Sequence, residues 1–350
     1  MVIAVLMSVL LAIAPIYAEI YPDAEYDVIT IAGTGTHGSR DGEFAQFNLP
    51  SSIFSDGAGN LFVLDTYNNL IRLIEFDENG NAYVSRFADA DFNRPTGGFW
   101  HDGWIVFTDS QNHTILQIYD GYVYSIFSGE PGHADGNQDE AKFYHPTAIV
   151  MGPCGNVFVA DTFNHVIRMI DPDGYVSTIA GTPGVYGFAD GAADQAIFNM
   201  PMGLAICEDG VIFVADTENH LIRVIEDGFV RTLAGTLIFP SEIEWDENYE
   251  WDFDEEPMGG FADGFEAMFN FPTGLFLFEG ALIVADTANH SIRAVFIDDG
   301  EVITIAGTGY PGHVDGPMYY VEFHFPRGVY VFGDWLLVVD TGNNIIRGLI

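Results

Sequence analysis

Four histidines, His113, His165, His220 and His290, each stand four residues after an aspartate, and three of them stand three residues before an arginine. Imidazole beside carboxylate is the equipment of general acid–base catalysis and of zinc ligation. Three more, His37, His133 and His313, sit in the glycine-rich phrases Gly-Thr-His-Gly, Pro-Gly-His-Ala-Asp-Gly and Pro-Gly-His-Val-Asp-Gly. Several imidazoles converging on one metal would make a lyase or hydrolase site. Position by position, however, the first set alternates with Asn69 and Asn344. An imidazole that asparagine can replace is hydrogen-bonding a turn rather than holding zinc. The second set comes from different repeating units around a rim, which opposes convergence. Cys154 and Cys207 have neither metal-knuckle nor redox spacing. They fall in the same turn of adjacent units, where a disulfide is one reading and two free thiols the other.

Two features break the repeating pattern and are therefore the better binding candidates. Arg327 occupies a position otherwise held by Ser51, Thr96, Thr147, Met202 and Thr273. A fixed guanidinium there could hold the carboxylate of a ligand, or simply pair with surrounding acids. Residues 241–256 gather nine acids and four aromatics, Trp245, Tyr249, Trp251 and Phe253, in one connecting loop. That composition suits a binding lip, with aromatics for contact and acids for a basic or glycan partner; an acidic flap that only keeps the chain soluble is the alternative. Asp246, Asp252 and Asp254 could cluster around calcium, without the spacing of an EF-hand. No cofactor is required on this reading. Calcium is the metal to look for, ahead of zinc.

The elements that must position these residues come from a phrase written six times. Asp65-Thr66-Tyr67-Asn68-Asn69-Leu70-Ile71-Arg72 recurs from Asp109, Asp161, Asp216, Asp286 and Asp340, at intervals of 44 to 70 residues. Repeats of that period indicate solenoids, propellers or arrays. Each unit reads as four short strands: in the fourth, residues 201–207, 211–215, 221–225 and 229–235, separated by Asp-, Asn- and Gly-bearing turns. Four-stranded units repeated radially make a propeller. Small residues two places after six prolines, Ser52, Gly97, Ala148, Gly203, Gly274 and Gly328, mark the strand nearest the axis, where bulk would collide across the channel. Phe47, Phe92, Phe143, Phe198, Phe269 and Phe323 read as wedges between units. The repeated pairs Asp65/Arg72, Asp161/Arg168, Asp216/Arg223, Asp286/Arg293 and Asp340/Arg347 take half of all the arginines to one position and read as structural ion pairs. Unit two departs: Leu116 stands where the arginine would be, and residues 87–91 replace a long loop.

The sixth unit stops after its third strand at Ile350, and the missing fourth, of the form Ile-Ala-Gly, stands at residues 28–33. Pairing the two ends would close the ring and remove a sheet edge. Residues 1–18 are uncharged and apolar and end in Ala18, which reads as a signal peptide, with an uncleaved anchor as the alternative. Residues 19–27 form a short lead-in and 28–350 a single all-β, six-bladed domain.

Ile-Ala-Gly-Thr, Ala-Asp-Gly, Phe-Asn-x-Pro-x-Gly and Val-Ala-Asp-Thr-x-Asn-His-x-Ile-Arg together resemble the NHL repeat, over essentially residues 28–350. The resemblance is to extracytoplasmic bacterial NHL-repeat propellers and implies a six-bladed β-propeller. It implies no single activity, because such propellers include protein-binding, RNA-binding, sensor and lyase members.

Charge narrows the choice. With 51 acidic residues, ten arginines and the single Lys142, the net charge is −40. Phosphate backbones and anionic membranes are bound through lysine and arginine, so neither nucleic acid nor an anionic membrane surface is an expected partner. The expectation is a secreted or cell-surface monomer without enzymatic activity. It would bind a basic or neutral extracellular protein, a glycan or a small ligand through an acidic, loop-rich face. A metal-dependent lyase or hydrolase using the same face is the alternative.

Overall fold

A computed structural model describes residues 26–88, 90–127, 129–238 and 258–350. Six antiparallel sheets are arranged around a central channel, one per repeat. Blade four shows the pattern: Pro201–Ile206 lines the channel, Ile212–Asp216 and Leu221–Glu226 follow, and Phe229–Ala234 lies outermost. The second strand is buried along its whole length, as in Leu61–Asp65 and Ile212–Asp216. Both of its faces meet other blades, so its sequence is a continuous apolar run rather than an alternation. The ring closes as the ends of the sequence suggest. Asp27–Ala32 is the outer strand of blade six and pairs with Ile345–Leu349 through Val28↔Leu349, Ile29↔Gly348 and Thr30↔Arg347.

Between second and third strands the repeated phrase makes one turn of 3-10 helix, Thr66–Asn68 in blade one, followed by a residue in the left-handed region. That last position holds Asn69, His113, His165, His220, His290 and Asn344, all with φ between 51° and 57°. Asparagine and histidine tolerate this conformation better than bulkier residues, which restricts the choice. A second demand fixes it. Each of these side chains accepts a hydrogen bond, at 2.8–3.2 Å, from the backbone N–H just before the proline of the next blade: Arg94, His145, Met200, Phe271, Phe325 and, across the closure, Leu49. A parallel ring of hydroxyls runs beneath it. Thr66, Ser110, Thr162, Thr217, Thr287 and Thr341 each donate to the proline carbonyl of the next blade at 2.6–2.8 Å. The histidines of the phrase are thus joints between blades.

The aspartate that ends each second strand ties its own blade together. Asp216 accepts from Asn199 N–H, Asn219 Nδ2 and Arg223 Nη1, and the same three contacts surround Asp65, Asp161, Asp286 and Asp340. Each arginine then reaches a second carboxylate, Asp41, Asp135, Asp190, Asp263 or Asp315, in the loop that enters the blade. Its other face lies over the wedge phenylalanine, 5.0–5.3 Å from the ring centre. These arginines are fully buried. They are neutralised on site, which is the condition for keeping a charge in a core.

The small residues near the axis have a different cause from the one read in the sequence. A Cβ on Gly97, Gly203 or Gly274 would overlap the backbone carbonyl of Thr147, Thr273 or Arg327 in the adjacent blade. Blade-to-blade approach, rather than crowding across the channel, excludes bulk there. Cys154 and Cys207 are both free.

Blade two lacks the arginine, so its aspartate has one donor fewer than the others. Asp109 is buried and, among the described residues, accepts from only Asn93 N–H and Asn112 Nδ2. Burial pushes its carboxyl up to about 6, as it does those of Asp161, Asp216 and Asp286, and here only the two donors pull it back. A carboxyl raised in the folded state stabilises below its unfolded pKa and loses that contribution as pH rises through the folded one. Thermal unfolding followed from pH 4 to 7 should therefore show Asp109 costing on the order of 2 kcal/mol by neutral pH. In Asp109→Asn this component should vanish whatever the variant's baseline, so that the difference between the two profiles declines from about pH 4 and levels off above the folded value of about 6. Profiles that run parallel would contradict the assignment. For the closure, deleting residues 19–33 should expose the edge of Ile345–Leu349 and yield an aggregating chain of lowered melting temperature. A monomer melting as the full chain does would refute it.

Candidate functional site

The six innermost strands leave a channel that widens at both ends. The end that carries the Asp-Thr turns and the blade-to-blade loops opens into a cavity of about 530 Å³. Its wall is built in tiers by the repeat. One tier is the residue before the proline of each repeat: Leu49, Arg94, His145, Met200, Phe271 and Phe325, with φ of 44–57°. Residues before proline ordinarily take extended backbone, so this conformation has to be imposed. It is imposed by the hydrogen bonds from these N–H groups to the Asn and His side chains described above, and five of the six line the cavity. The next tier, just after the proline, is the neck: Ser51, Thr96, Thr147, Met202, Thr273 and Arg327.

At the neck the hydroxyls are already engaged. Ser51, Thr96, Thr147 and Thr273 each hydrogen-bond the turn hydroxyl of their own blade at 2.6–2.7 Å. Arg327 is different. Its backbone carbonyl accepts from Thr273, but its guanidinium meets no carboxylate among the described residues. Desolvation lowers its pKa, opposed only by Tyr67. A cation so placed lacks the compensation that the five buried arginines have.

Arg94 stands over the Tyr67 ring at 4.4 Å and adds a second guanidinium to the same wall. His145 lies flat on Phe163, with centroids 4.4 Å apart and a 20° interplanar angle. Its Nε2 meets Gln111 Nε2 at 3.2 Å, and its buried Nδ1 has no partner among the described residues. Burial first, then His113 and Arg94, lower its pKa and keep the ring neutral near pH 7. Phe271, Phe325 and Met200 complete an apolar arc, and Glu218 is the acid in the wall. The arrangement suits an anionic group seated at the neck with a flat apolar body above it. Below the neck the channel continues as about 330 Å³ lined by Phe54, Phe99, Trp100, Phe276 and Tyr330.

Arg327 therefore stands at the channel mouth, where its place in the repeat puts it. Trp245, Tyr249, Trp251, Phe253, Asp246, Asp252 and Asp254 lie outside the described residues. The chain leaves for that segment at Ile238 and returns at Met258, whose N–H donates to the Ile238 carbonyl at 2.8 Å. His133 Nε2 lies 2.8 Å from the Thr178 hydroxyl. Among the described residues no three His, Cys, Asp or Glu side chains are placed to hold a metal ion. No helix there is long and apolar enough to cross a membrane. Arg94 and His145 were not singled out by sequence reasoning. The signal was available: aligned two residues earlier than Arg327's tier, the same six units show a cation and an imidazole among Leu49, Met200, Phe271 and Phe325.

The family model for the NHL repeat matches residues 198–225. NHL repeat-containing protein 2 of Homo sapiens is 32% identical over 183 residues, covering 47% of this chain and 25% of that protein. The chain spans about a quarter of the length of the curated relatives it matches. Among solved structures, an auxiliary nutrient binding protein from Bacteroides ovatus superposes with a TM-score of 0.68 at 16% identity, over 93% of this chain and 76% of that one. A catalytically inactive virginiamycin B lyase from Staphylococcus aureus, solved with quinupristin, gives 0.54 at 12% identity, over 93% and 99%. At these identities the likeness is one of fold.

Proposed function

From the premise that this chain is an NHL-repeat six-bladed β-propeller, we propose that it is an exported, non-enzymatic binding protein whose ligand sits in the channel mouth. Arg327 carries the reading. It is a desolvated guanidinium at the neck of a cavity, with no carboxylate beside it among the described residues, in a chain of net charge −40. An incoming carboxylate would supply the missing counter-charge, and the Phe163, Phe271 and Phe325 rings would take the apolar remainder. The nutrient binding protein of the same fold from Bacteroides ovatus is in keeping with this. The segment bearing Trp245, Tyr249, Trp251 and Phe253 joins blades four and five between Ile238 and Met258, and we assign it the part of a lip over the bound ligand. Asp246, Asp252 and Asp254 would hold calcium if that lip is metal-bound.

A lyase or hydrolase on the same face is the second reading, and His145 favours it. It is a neutral imidazole in the cavity wall, and it would act as general base through Nε2, the nitrogen that meets the Gln111 amide, since its Nδ1 is buried.

Thermal-shift titration with benzoate, phenylacetate and short N-acylated amino acids should raise the melting temperature of the wild-type chain. Arg327→Thr, which installs the residue of Thr147 and Thr273, should fold as stably or better and lose at least tenfold in affinity. Equal shifts in both proteins would remove Arg327 from the site. Replacing Trp245, Tyr249 and Trp251 together by Ser should leave the melting temperature within a few degrees and weaken binding of the same acids. Unchanged affinity would confine the site to the mouth.

A further inference from the structure

Five blades protect their outer edge in one way. The loop entering the blade folds back, and the glycine of its Asp-Gly bridges a valine in the first half of the outermost strand: Gly42 to Val84, Gly136 to Val176, Gly191 to Val230, Gly264 to Val302 and Gly316 to Val28. Those valines are at most 2% exposed. Blade two is built otherwise. Only residues 89–94 connect it to blade one, and no loop covers its outer strand, Tyr122–Ser125, among the described residues. Val123 pairs with Ile118 as Val84 pairs with Ile74, so it is the equivalent valine, and it is 37% exposed.

The register gives the direction of the free groups. Ile126 N–H donates inward to the Ile115 carbonyl, so in an antiparallel strand the N–H groups of Val123 and Ser125 face away from the blade. The groups that receive the loop aspartate elsewhere are also rebuilt here: Leu116 replaces the arginine, and Ser125 replaces the threonine seen at Thr178 and Thr232. Beside the open edge stands an aromatic ladder. Trp104 stacks on Tyr119 at 4.4 Å and approaches Tyr124 at 6.0 Å, while Tyr119, Tyr122 and Tyr124 are 44%, 66% and 47% exposed. Natural edges are blunted by lysine, proline or bulges. This strand has none of these, and no Lys or Arg occurs between Arg94 and Lys142.

We propose that the outer strand of blade two is a strand-addition site that accepts an extended segment of a basic partner protein. The main chain of Val123 would supply the hydrogen bonds that a glycine takes up in the other five blades. Tyr122 and Tyr124 would contact alternate side chains of the guest. Charge selects the occupant: Asp102 and Asp120 flank the hairpins, and the whole chain carries −40, which attracts a cationic segment and repels a second copy of itself. The site is independent of the channel mouth.

The test uses the full chain and two capped synthetic heptapeptides, one alternating Lys with Val and one alternating Glu with Val, in calorimetric titrations at moderate salt. The basic peptide should bind and the acidic one should not. Val123→Pro removes one outward N–H without altering charge or the blade's own ladder, and should weaken binding at least tenfold. Should that variant unfold, Tyr122→Ser combined with Tyr124→Ser, at exposed and uncharged positions, carries the same expectation. Undiminished binding in the folded variants would mean that the peptide is held by general charge, and would overturn the proposal. Failure of the basic peptide to bind, or a concentration-dependent dimer abolished by Val123→Pro, would overturn it as well.

Discussion

The aspartate that ends each second strand is the contact on which the rest of the molecule depends. Taken out of water, a carboxylate must be given donors, and the repeat provides three: a backbone N–H from the preceding loop, an asparagine amide from the turn and a guanidinium from the third strand. Satisfying that one group fixes the turn, the loop and the strand together. The arginine that serves it needs a second carboxylate and a ring to lie on, and those come from the loop that enters the blade. One buried charge thereby specifies the conformation of a whole unit.

Ring geometry follows from the turn that the aspartate anchors. The left-handed residue at its end directs an Asn or His side chain into the next blade, and the hydroxyl at its start does the same one tier lower. Because Thr341 and Asn344 make these contacts to Pro50 and Leu49, the joint between the two ends of the described chain is equivalent to the other five. The same hydrogen bonds impose left-handed backbone on the residues before the prolines. The scaffold thus builds the wall of the mouth, and individual side chains on that wall are left to vary.

Much of this was legible in the sequence because a propeller repeats its chemistry. Five copies of Asp-Thr-x-Asn and one of Asp-Ser-x-Asn, with Asn and His exchanging at the next place, identify a structural histidine more securely than any single copy does. The terminal strand at residues 28–33 has the form of the strand missing after Ile350, so closure could be read before any coordinates. What stayed hidden depends on distances between blades. Gly203 is small because a carbonyl of the adjacent blade approaches it, which no periodicity reveals. Arg94 and His145 stand in a tier whose backbone points them at the axis, and that conformation is not written in residue type. The bare edge of blade two shows as a missing loop in sequence, but only the register identifies Val123 as the valine left uncovered.

Arginine divides between scaffold and site: five side chains are neutralised at repeated positions, and Arg327 stands at the neck without a carboxylate among the described residues. Side-chain NMR of the arginine guanidinium groups, recorded during titration with benzoate, tests that division most directly. The resonances of Arg72, Arg168, Arg223, Arg293 and Arg347 should be slow to exchange with water and stationary throughout, while that of Arg327 shifts to saturation. A stationary Arg327, or shifts spread over the five buried arginines, would contradict it.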